Sequence, residues 1–276
     1  MRVAVVGHVE WIWFGAVDSI PGPGDIAHAT DDWEEVGGGG AVAAVQLRKL
    51  AGACDLFAAL GDDEIGDRSR RELTDHGLDV HAGKRDERTR RALTLVDPAG
   101  ERTITTLGPR LAPSASDPLP WDRLDGTDAV YVTAGDTEAF RLARRARVMV
   151  VTTRTLDELL DADVVPDALV GSARDPAEQV EPEMLPWRPP LLVRTEGRSG
   201  GRYETSSGGS GRYEAVELRG LAGDAYGAGD SFAAGLTYAL GAGWEVDRAL
   251  GFASRCGAAC AAGRGPYSGQ LTATDI

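Results

Sequence analysis

Short, uninterrupted apolar runs alternate along this chain with longer stretches of helical character. The run RVAVVG at Arg2–Gly7 is continuous and ends in glycine, which is typical of a strand buried on both faces of a parallel sheet. Further strands are predicted at Asp55–Leu60, Asp128–Thr133 and Val148–Thr152. Another strand starts at Gly77–Val80, one ends at Asp167–Asp175, and Leu191–Gly201 is a strand followed by a glycine turn. Helical patterns lie between them, at Ala41–Leu50, Gly66–His76, Thr137–Arg147 and Leu156–Leu160. This alternation predicts an α/β protein whose parallel sheet is covered by helices on both faces.

Two stretches interrupt the alternation of strands and helices. Thr89–Leu95 and Arg102–Leu107 alternate or are β-branched around the turn Asp97–Glu101, which predicts a β-hairpin. Ile26–Trp33 is predicted to be a strand that crosses over outside the main sheet. The loop Pro109–Pro120 is rich in proline and serine, and we interpret it as a connection rather than a domain boundary.

A helix of small residues begins at a glycine-rich turn near the end of the chain. The apolar run Phe232–Leu240 follows Gly227-Ala228-Gly229-Asp230, so the first helical turn is predicted at Gly227–Asp230. The first N–H groups of a helix lack internal partners and bind anions, and small residues let a phosphate approach them. Asp230 adds a proton acceptor, which indicates phosphoryl transfer to a hydroxyl. The alternative is a plain turn with Asp230 as a helix cap.

Composition narrows the choice of partners. The 276 residues are 42% hydrophobic and 26% charged, which is ordinary for a globular protein with a substantial core. The net charge of -14 argues against nucleic acid or an anionic membrane as a partner. The apolar start Met1–Phe14 is interrupted by Glu10 and no cleavage site follows, so we predict a cytoplasmic protein without a signal peptide.

The cysteines and histidines do not suggest a metal site. Cys54, Cys256 and Cys260 contain no Cys-x-x-Cys pair, and the last two lie in the alanine-rich helix predicted at Val246–Ala262. Buried, reduced thiols are therefore expected. The four histidines are scattered without metal-ligand spacing: His8, His28, His76 and His81.

The segment Asp224–Asp230 resembles the C-terminal signature of the ribokinase-like (PfkB) carbohydrate kinases, although Ala225 stands where the family usually has threonine. In that family the glycine turn forms an anion hole and the final aspartate is the catalytic base. The resemblance implies that Asp230 deprotonates the acceptor hydroxyl, while the amides of 227–229 stabilise the transferring phosphoryl group.

The resemblance extends to the nucleotide side of a kinase site. Thr195, Gly197 and Gly200 match the family's Thr-x-Gly-x-x-Gly, which lines the nucleotide phosphates. It implies that these residues bind ATP together with Asp224 and the glycines of the turn at 227–229.

A magnesium ligand is implied at one further position. Family members usually carry Asn-x-x-Glu, whose carboxylate helps to organise Mg²⁺, and the corresponding residues here are Ser172 and Asp175. Asp175 is thus the candidate residue for Mg²⁺. The alternative is that Asp175 caps the helix that follows.

The acceptor side departs from the family pattern. Gly37–Gly40 matches the substrate segment Gly-Gly-x-Gly, which makes Gly38 and Gly39 candidate acceptor contacts. Glu10 is the nearest acid to the position of the family's sugar-binding aspartate, so it either binds the acceptor or is simply solvated. The changed positions are Ile12, Gly39 and Val42.

The resemblance covers nearly the whole chain and implies a three-layer α/β/α fold. We expect a single domain at 1–276 with a small β-sheet lid from discontinuous segments near 13–36 and 81–108. The implied activity is Mg²⁺-dependent transfer of the ATP γ-phosphate to a small molecule with a hydroxyl, and the lid offers a homodimer surface. Ile12 and Val42, amid aromatic residues, favour an acceptor ring with an apolar face. The alternative is a scaffold that binds a nucleotide or metabolite without efficient catalysis.

Overall fold

Nine of the thirteen strands in the described residues form one large sheet in this computed structural model, which describes residues 1–216 and 223–276. The strands are β1 (Val3–Val6), β2 (Glu10–Ala16), β3 (Asp31–Gly37), β4 (Asp55–Gly61), β5 (Asp79–Arg85), β6 (Arg91–Val96), β7 (Arg102–Leu107), β8 (Ala129–Val132), β9 (Val148–Thr152), β10 (Ala168–Ser172), β11 (Leu191–Thr195), β12 (Gly201–Thr205) and β13 (Ser210–Tyr213). The large sheet has the order β13-β12-β11-β10-β9-β8-β1-β4-β5, and its pairs are parallel except β11–β12 and β12–β13.

Helices cover both faces of the large sheet. They are α1 (Gly39–Ala51), α2 (Glu64–Asp75), α3 (Thr137–Ala143), α4 (Leu156–Asp161), α5 (Ala228–Gly241) and α6 (Val246–Ala261). Val3 and Val5 of β1 pack in the core formed with α1, α5 and α6, whereas Ala4 and Val6 pack in the core formed with α3 and α4. Both faces of β1 are therefore apolar, which is why its sequence reads as a continuous run. The predicted three-layer α/β/α fold is confirmed.

A second, four-stranded sheet has the order β3-β2-β6-β7. β6 and β7 pair antiparallel, which confirms the predicted hairpin. The small sheet reaches the glycine-rich turn before α5, because the N–H of Ala225 donates to the carbonyl of Gly100 at 3.1 Å. Phe14 of β2 also meets the ring of Tyr226 edge-on, with centroids 5.3 Å apart. The lid segment predicted near 81–108 begins too early, because residues 81–85 lie on β5 of the large sheet and not on the small sheet.

The strand predicted at Ile26–Trp33 was misplaced. The strand lies at Asp31–Gly37, and Ile26 is 86% exposed outside any strand. Its register is set by β2, where Phe14 pairs with Trp33 and stacks on that ring at 4.8 Å. β2 begins at Glu10, the residue that the family resemblance suggests as an acceptor contact.

Two further expectations concern the helices and the cysteines. The predicted helix Thr137–Arg147 is shorter and ends at Ala143. All three cysteines are buried free thiols, as expected. Within 1–216 and 223–276, none of the helices is long and apolar enough to cross a lipid bilayer.

Candidate active site

The glycine-rich turn begins α5 as the sequence predicts. Gly227 is the N-cap residue with φ 77°, and α5 starts at Ala228. A Cβ on Gly227 would lie 2.8 Å from Cγ1 of Val42, so both its backbone conformation and its surroundings require glycine. The N–H of Ser231 donates to the carbonyl of Gly227 at 2.8 Å, which closes the first turn. The N–H of Ala228 makes a long bond of 3.4 Å to the carbonyl of Ala225, and the other N–H groups of that first turn have no intrahelical acceptor.

Asp230 lies where the N-termini of two helices meet. Gly39 is the first residue of α1, and a Cβ built on it would be 2.7 Å from Oδ1 of Asp230. Because Gly39 has no side chain, it leaves the space that the Asp230 carboxylate occupies. A Cβ on Gly229 would meet no heavy atom within 4 Å, so the turn faces open space beside Asp230. An anion has room at the amides, next to a carboxylate that can accept a proton.

His8 connects Gly39 to the end of the large sheet. The N–H of Gly39 donates to Nε2 of His8 at 3.1 Å, so the proton of the ring is assigned to Nδ1, 3.3 Å from Oγ1 of Thr133. Burial, followed by the nearby arginines Arg110, Arg90 and Arg154, lowers the pKa of His8 to about 3. His8 is accordingly a neutral positioning group. Sequence reasoning missed it, although it directly follows the glycine that ends the first strand run.

Glu10, the predicted acceptor contact, lies in the same cluster. Its Oε1 is 3.8 Å from Nε2 of His8 and 3.2 Å from Nε of Arg90. Its side chain is 9% exposed, and burial raises its pKa despite the arginines nearby. The side chain of His8 lies between Glu10 and Gly39, so the structure places Glu10 close to Gly39 and to Asp230, which packs against Gly39. It is a buried, paired carboxylate and not a solvated one.

Glu178 belongs to a second acidic group, close enough to Asp230 to influence its ionisation. Arg154 follows β9; its Nη2 is 2.5 Å from Oδ2 of Asp175 and also pairs with Glu178. Glu178 accepts the N–H of Ser172 at 2.9 Å. Its negative charge is the strongest of those that raise the pKa of Asp230. Sequence reasoning missed Glu178, because the family spacing pointed to Asp175 three residues earlier.

The carboxylates near Asp230 fit a magnesium ion held mainly by phosphates and water. Among the residues that the structure describes, no group of three or more His, Cys, Asp or Glu side chains is placed to hold a metal. Mg²⁺ in phosphoryl-transfer sites commonly takes only one or two carboxylates. Asp175 is engaged by Arg154 and also accepts the N–H of Ala177 at 3.0 Å. Glu178 is therefore a second candidate ligand beside Asp175.

Asp224 shapes the turn through both carboxylate oxygens. Oδ1 accepts the N–H of Tyr226 at 2.9 Å and Oδ2 accepts the N–H of Gly265 at 2.6 Å. Tyr226 in turn accepts the N–H of Gly38 through its hydroxyl at 3.0 Å. Asp224 is 2% exposed. These bonds join the glycine-rich turn to the acceptor segment at Gly38–Gly39.

Thr195, Gly197 and Gly200 lie at the carboxyl end of β11. Thr195 pairs with Ser172 of β10, so this turn shares the sheet edge from which Arg154 follows β9. Gly197 and Gly200 have φ of 64° and 78°. A Cβ on Gly200 would collide with the carbonyl oxygen of Tyr213. The glycines are thus required by the backbone, whatever ligand they bind.

The positions of Ile12 and Val42 in the structure do not support the predicted acceptor ring with an apolar face. Ile12 and Val42 are both 0% exposed. Ile12 packs on Gly37, and Val42 packs on Gly227. Residues without exposed surface cannot line a binding pocket.

The pKa of Asp230 is raised to about 6. Burial is the main cause and Glu178 the next, while Arg102 and Arg154 act in the opposite direction. A general base must be deprotonated, so kcat/KM is expected to rise with pH up to about 6 and to level off above it. A pH–rate profile from pH 4.5 to 8 checks this. A profile that is flat across pH 6 would contradict a base with this environment.

Comparisons with known proteins agree with this geometry. A sequence model of the pfkB family carbohydrate kinases matches residues 1–273. An ATP-dependent ribose-1-phosphate kinase from Halopiger xanaduensis is 30% identical, over 97% of this chain and 94% of its own. The structure of adenosine kinase from Sinorhizobium meliloti is similar with a TM-score of 0.80 at 18% identity, covering 99% of this chain and 98% of that one. A ribokinase from Cryptococcus neoformans var. grubii in complex with ADP gives 0.76 at 20% identity, covering 99% and 98%.

Proposed function

Because the chain belongs to the pfkB family of carbohydrate kinases, we propose that Asp230 is the general base of its phosphoryl transfer. The protein is an ATP-dependent kinase of a sugar or nucleoside. One observation carries the assignment to Asp230: its carboxylate lies against Gly39 at two helix N-termini, next to the open space at Gly229. A proton acceptor and an anion site are adjacent there.

Each part of the turn has a role in the proposed reaction. The acceptor hydroxyl gives its proton to Asp230, and its oxygen forms a bond to the γ-phosphorus of ATP while the bond to ADP breaks. The amides of Gly227, Ala228 and Gly229 stabilise the charge on the transferring group, aided by the dipole of α5. Thr195, Gly197 and Gly200 line the phosphates of the nucleotide.

We propose that Mg²⁺ accompanies ATP and that Glu178 or Asp175 would hold it, with water and phosphate oxygens as its other ligands. When bound, the ion supplies positive charge against the phosphates. Arg154 keeps both carboxylates in place, because it pairs with each of them.

The acceptor is proposed to lie beside Glu10 and the glycines at Gly38–Gly39, which pack against each other. The N–H of Gly39 donates to His8, and Oε1 of Glu10 lies 3.2 Å from Nε of Arg90. The relative from Halopiger xanaduensis is named for ribose 1-phosphate, which adds a phosphorylated pentose to the candidate acceptors.

The inactive-scaffold hypothesis is not favoured. Three of the departures behind it lie on the acceptor side, and two, Ser172 and Asp175, lie at the metal position. Of the three, Ile12 and Val42 are buried packing residues. The third, Gly39, is required by the position of Asp230. The acceptor-side substitutions are thus explained by packing and give no support to an inactive site.

We propose that the small sheet is the lid of a single kinase domain at 1–276 and that its outer face forms a homodimer. Trp13 and Leu93 pair directly across β2 and β6 and are 57% and 42% exposed. Leu107 on β7 is 54% exposed. Light scattering on the purified protein tests this proposal, since a monomeric mass would contradict it.

The kinase reaction is tested by ADP formation with a panel of sugars, sugar phosphates and nucleosides. We expect at least one acceptor to raise the rate of ADP formation far above the rate with ATP and Mg²⁺ alone. ATP binding without turnover on any acceptor would restore the scaffold hypothesis.

A further inference from the structure

Two arginines enter the acceptor side of the site from the small sheet. Arg90 precedes β6 and Arg110 lies three residues beyond the end of β7. Arg91 pairs with Leu107, so the antiparallel register brings the start of β6 beside the end of β7. The carbonyl of Arg90 accepts the N–H of Trp11, which places Arg90 next to Glu10 at the start of β2.

Neither guanidinium is fully paired within the described chain. The Nε of Arg110 and the Nε of Arg90 are both buried and have no aligned hydrogen-bond acceptor in 1–216 or 223–276. Arg90 does lie 3.2 Å from Oε1 of Glu10, but its N–H does not point at that oxygen. Buried donors without acceptors are uncommon in folded proteins and call for an explanation.

Positive charge exceeds negative charge around these two side chains. Burial, followed by Arg90 and Arg154, lowers the pKa of Arg110, while Glu10 and Glu158 act more weakly in the other direction. Arg154 is already engaged by two carboxylates. Glu10 is thus the one carboxylate in contact with the Arg90 guanidinium among the described ion pairs, and His8 is neutral. Crowded, half-buried guanidinium groups are stabilised by an anion.

We propose that Arg90 and Arg110 form a subsite for a phosphate monoester carried by the acceptor. This inference rests on the proposed function. The guanidinium fork suits the oxygens of a phosphate, and it binds them more specifically than an ammonium group does. The subsite lies on the His8–Glu10 side of Gly39. The strand ends at Ser172 and Thr195, where the nucleotide is proposed to bind, belong to β10 and β11 of the large sheet.

The contacts join the subsite to the base in one continuous series. Arg90 contacts Glu10, Glu10 lies beside His8, and His8 accepts the N–H of Gly39. Gly39 in turn packs against Asp230. An acceptor that spans this series presents a hydroxyl to Asp230 and its phosphate to Arg90 and Arg110. The reaction then adds a second phosphate to a sugar that already carries one.

The test compares three variants with ribose, ribose 1-phosphate, ribose 5-phosphate and gluconate as probes. Binding of each probe is measured by calorimetry in the presence of a non-hydrolysable ATP analogue. We expect wild type to bind a ribose phosphate at least about 10-fold more tightly than ribose, and Arg110→Gln to weaken that binding about 10- to 100-fold. Arg110→Lys keeps the positive charge but lacks the guanidinium fork, so its affinity for the ribose phosphates should lie between those of wild type and Arg110→Gln. Arg91→Gln, an exposed neighbour, should match wild type.

The outcomes separate this subsite from the kinase assignment. Binding of ATP analogue by Arg110→Gln at wild-type affinity shows that the variant folds. If ribose binds as tightly as its phosphates, or Arg110→Gln binds the phosphates like wild type, the subsite is wrong while ADP formation still supports the kinase. Tighter binding of gluconate than of either phosphate would assign the subsite to a carboxylate and overturn the proposal. Arginine-dependent phosphate binding without any ADP formation would support the subsite and count against the kinase roles.

Discussion

Asp230→Asn is expected to lower kcat by about 10²- to 10⁴-fold, the usual contribution of a general base. Asparagine has nearly the same shape and fills the same space against Gly39, but its amide cannot take the proton from the acceptor hydroxyl. The amides of the turn and the ATP-binding residues remain. The affinity for ATP should therefore stay close to that of wild type, as calorimetry can show.

The stability of the same variant provides an internal check. The folded pKa of Asp230 is raised from 3.8 to about 6, so its contribution to stability is present below pH 3.8 and is lost as the pH rises through 6. Asp230→Asn should therefore gain stability relative to wild type between pH 5 and pH 7 in chemical unfolding. Asp67→Asn, an exposed acid in the first turn of α2, is the matched control and should change neither activity nor stability appreciably.

Gly229→Ala is expected to reduce kcat/KM for ATP by about 10²-fold or more without destabilising the protein. Its methyl group would occupy the open space that we assign to the transferring phosphate. Losing one anion-hole contact commonly costs about 10²- to 10³-fold in rate. The backbone of Gly229 is helical, so alanine there should leave stability unchanged or raise it by up to about 1 kcal/mol.

Two other glycines provide the comparison for Gly229→Ala. Gly227→Ala should lose both stability and activity, because its left-handed backbone costs about 1–2 kcal/mol with a side chain and its Cβ meets Val42. Gly251→Ala, in the middle of α6 with open space at its Cβ, should retain full activity. Wild-type activity in Gly229→Ala would mean that the phosphate does not lie at this turn.

The proposed phosphate-transfer end of the site could be predicted from the sequence because its requirements are local. A left-handed glycine, two small residues and an aspartate must follow one another at the start of a helix, and they do so at 227–230. The parallel sheet was predictable for a similar reason, since each buried strand is a continuous apolar run. The hairpin at β6–β7 also depends on neighbouring residues.

The acceptor end depends on contacts between distant segments, which no local pattern records. His8, Gly39 and Asp230 are far apart in sequence, and only the fold shows that Gly39 is glycine because Asp230 lies against it. Arg110 is the second residue of the loop Pro109–Pro120 and carries no motif. The misplaced strand at β3 has the same origin, because its register is set by pairing with β2.

Phosphorus NMR of the complete reaction tests the central claim most directly. Wild-type protein is incubated with ATP, Mg²⁺ and the acceptor that most stimulates ADP formation, and the same mixture is prepared with Asp230→Asn. We predict that wild type produces ADP together with a new phosphate-ester resonance in equal amount, and that the variant produces neither at a comparable rate. Release of inorganic phosphate alone by wild type, or formation of the ester by Asp230→Asn at the wild-type rate, would contradict the assignment of this site.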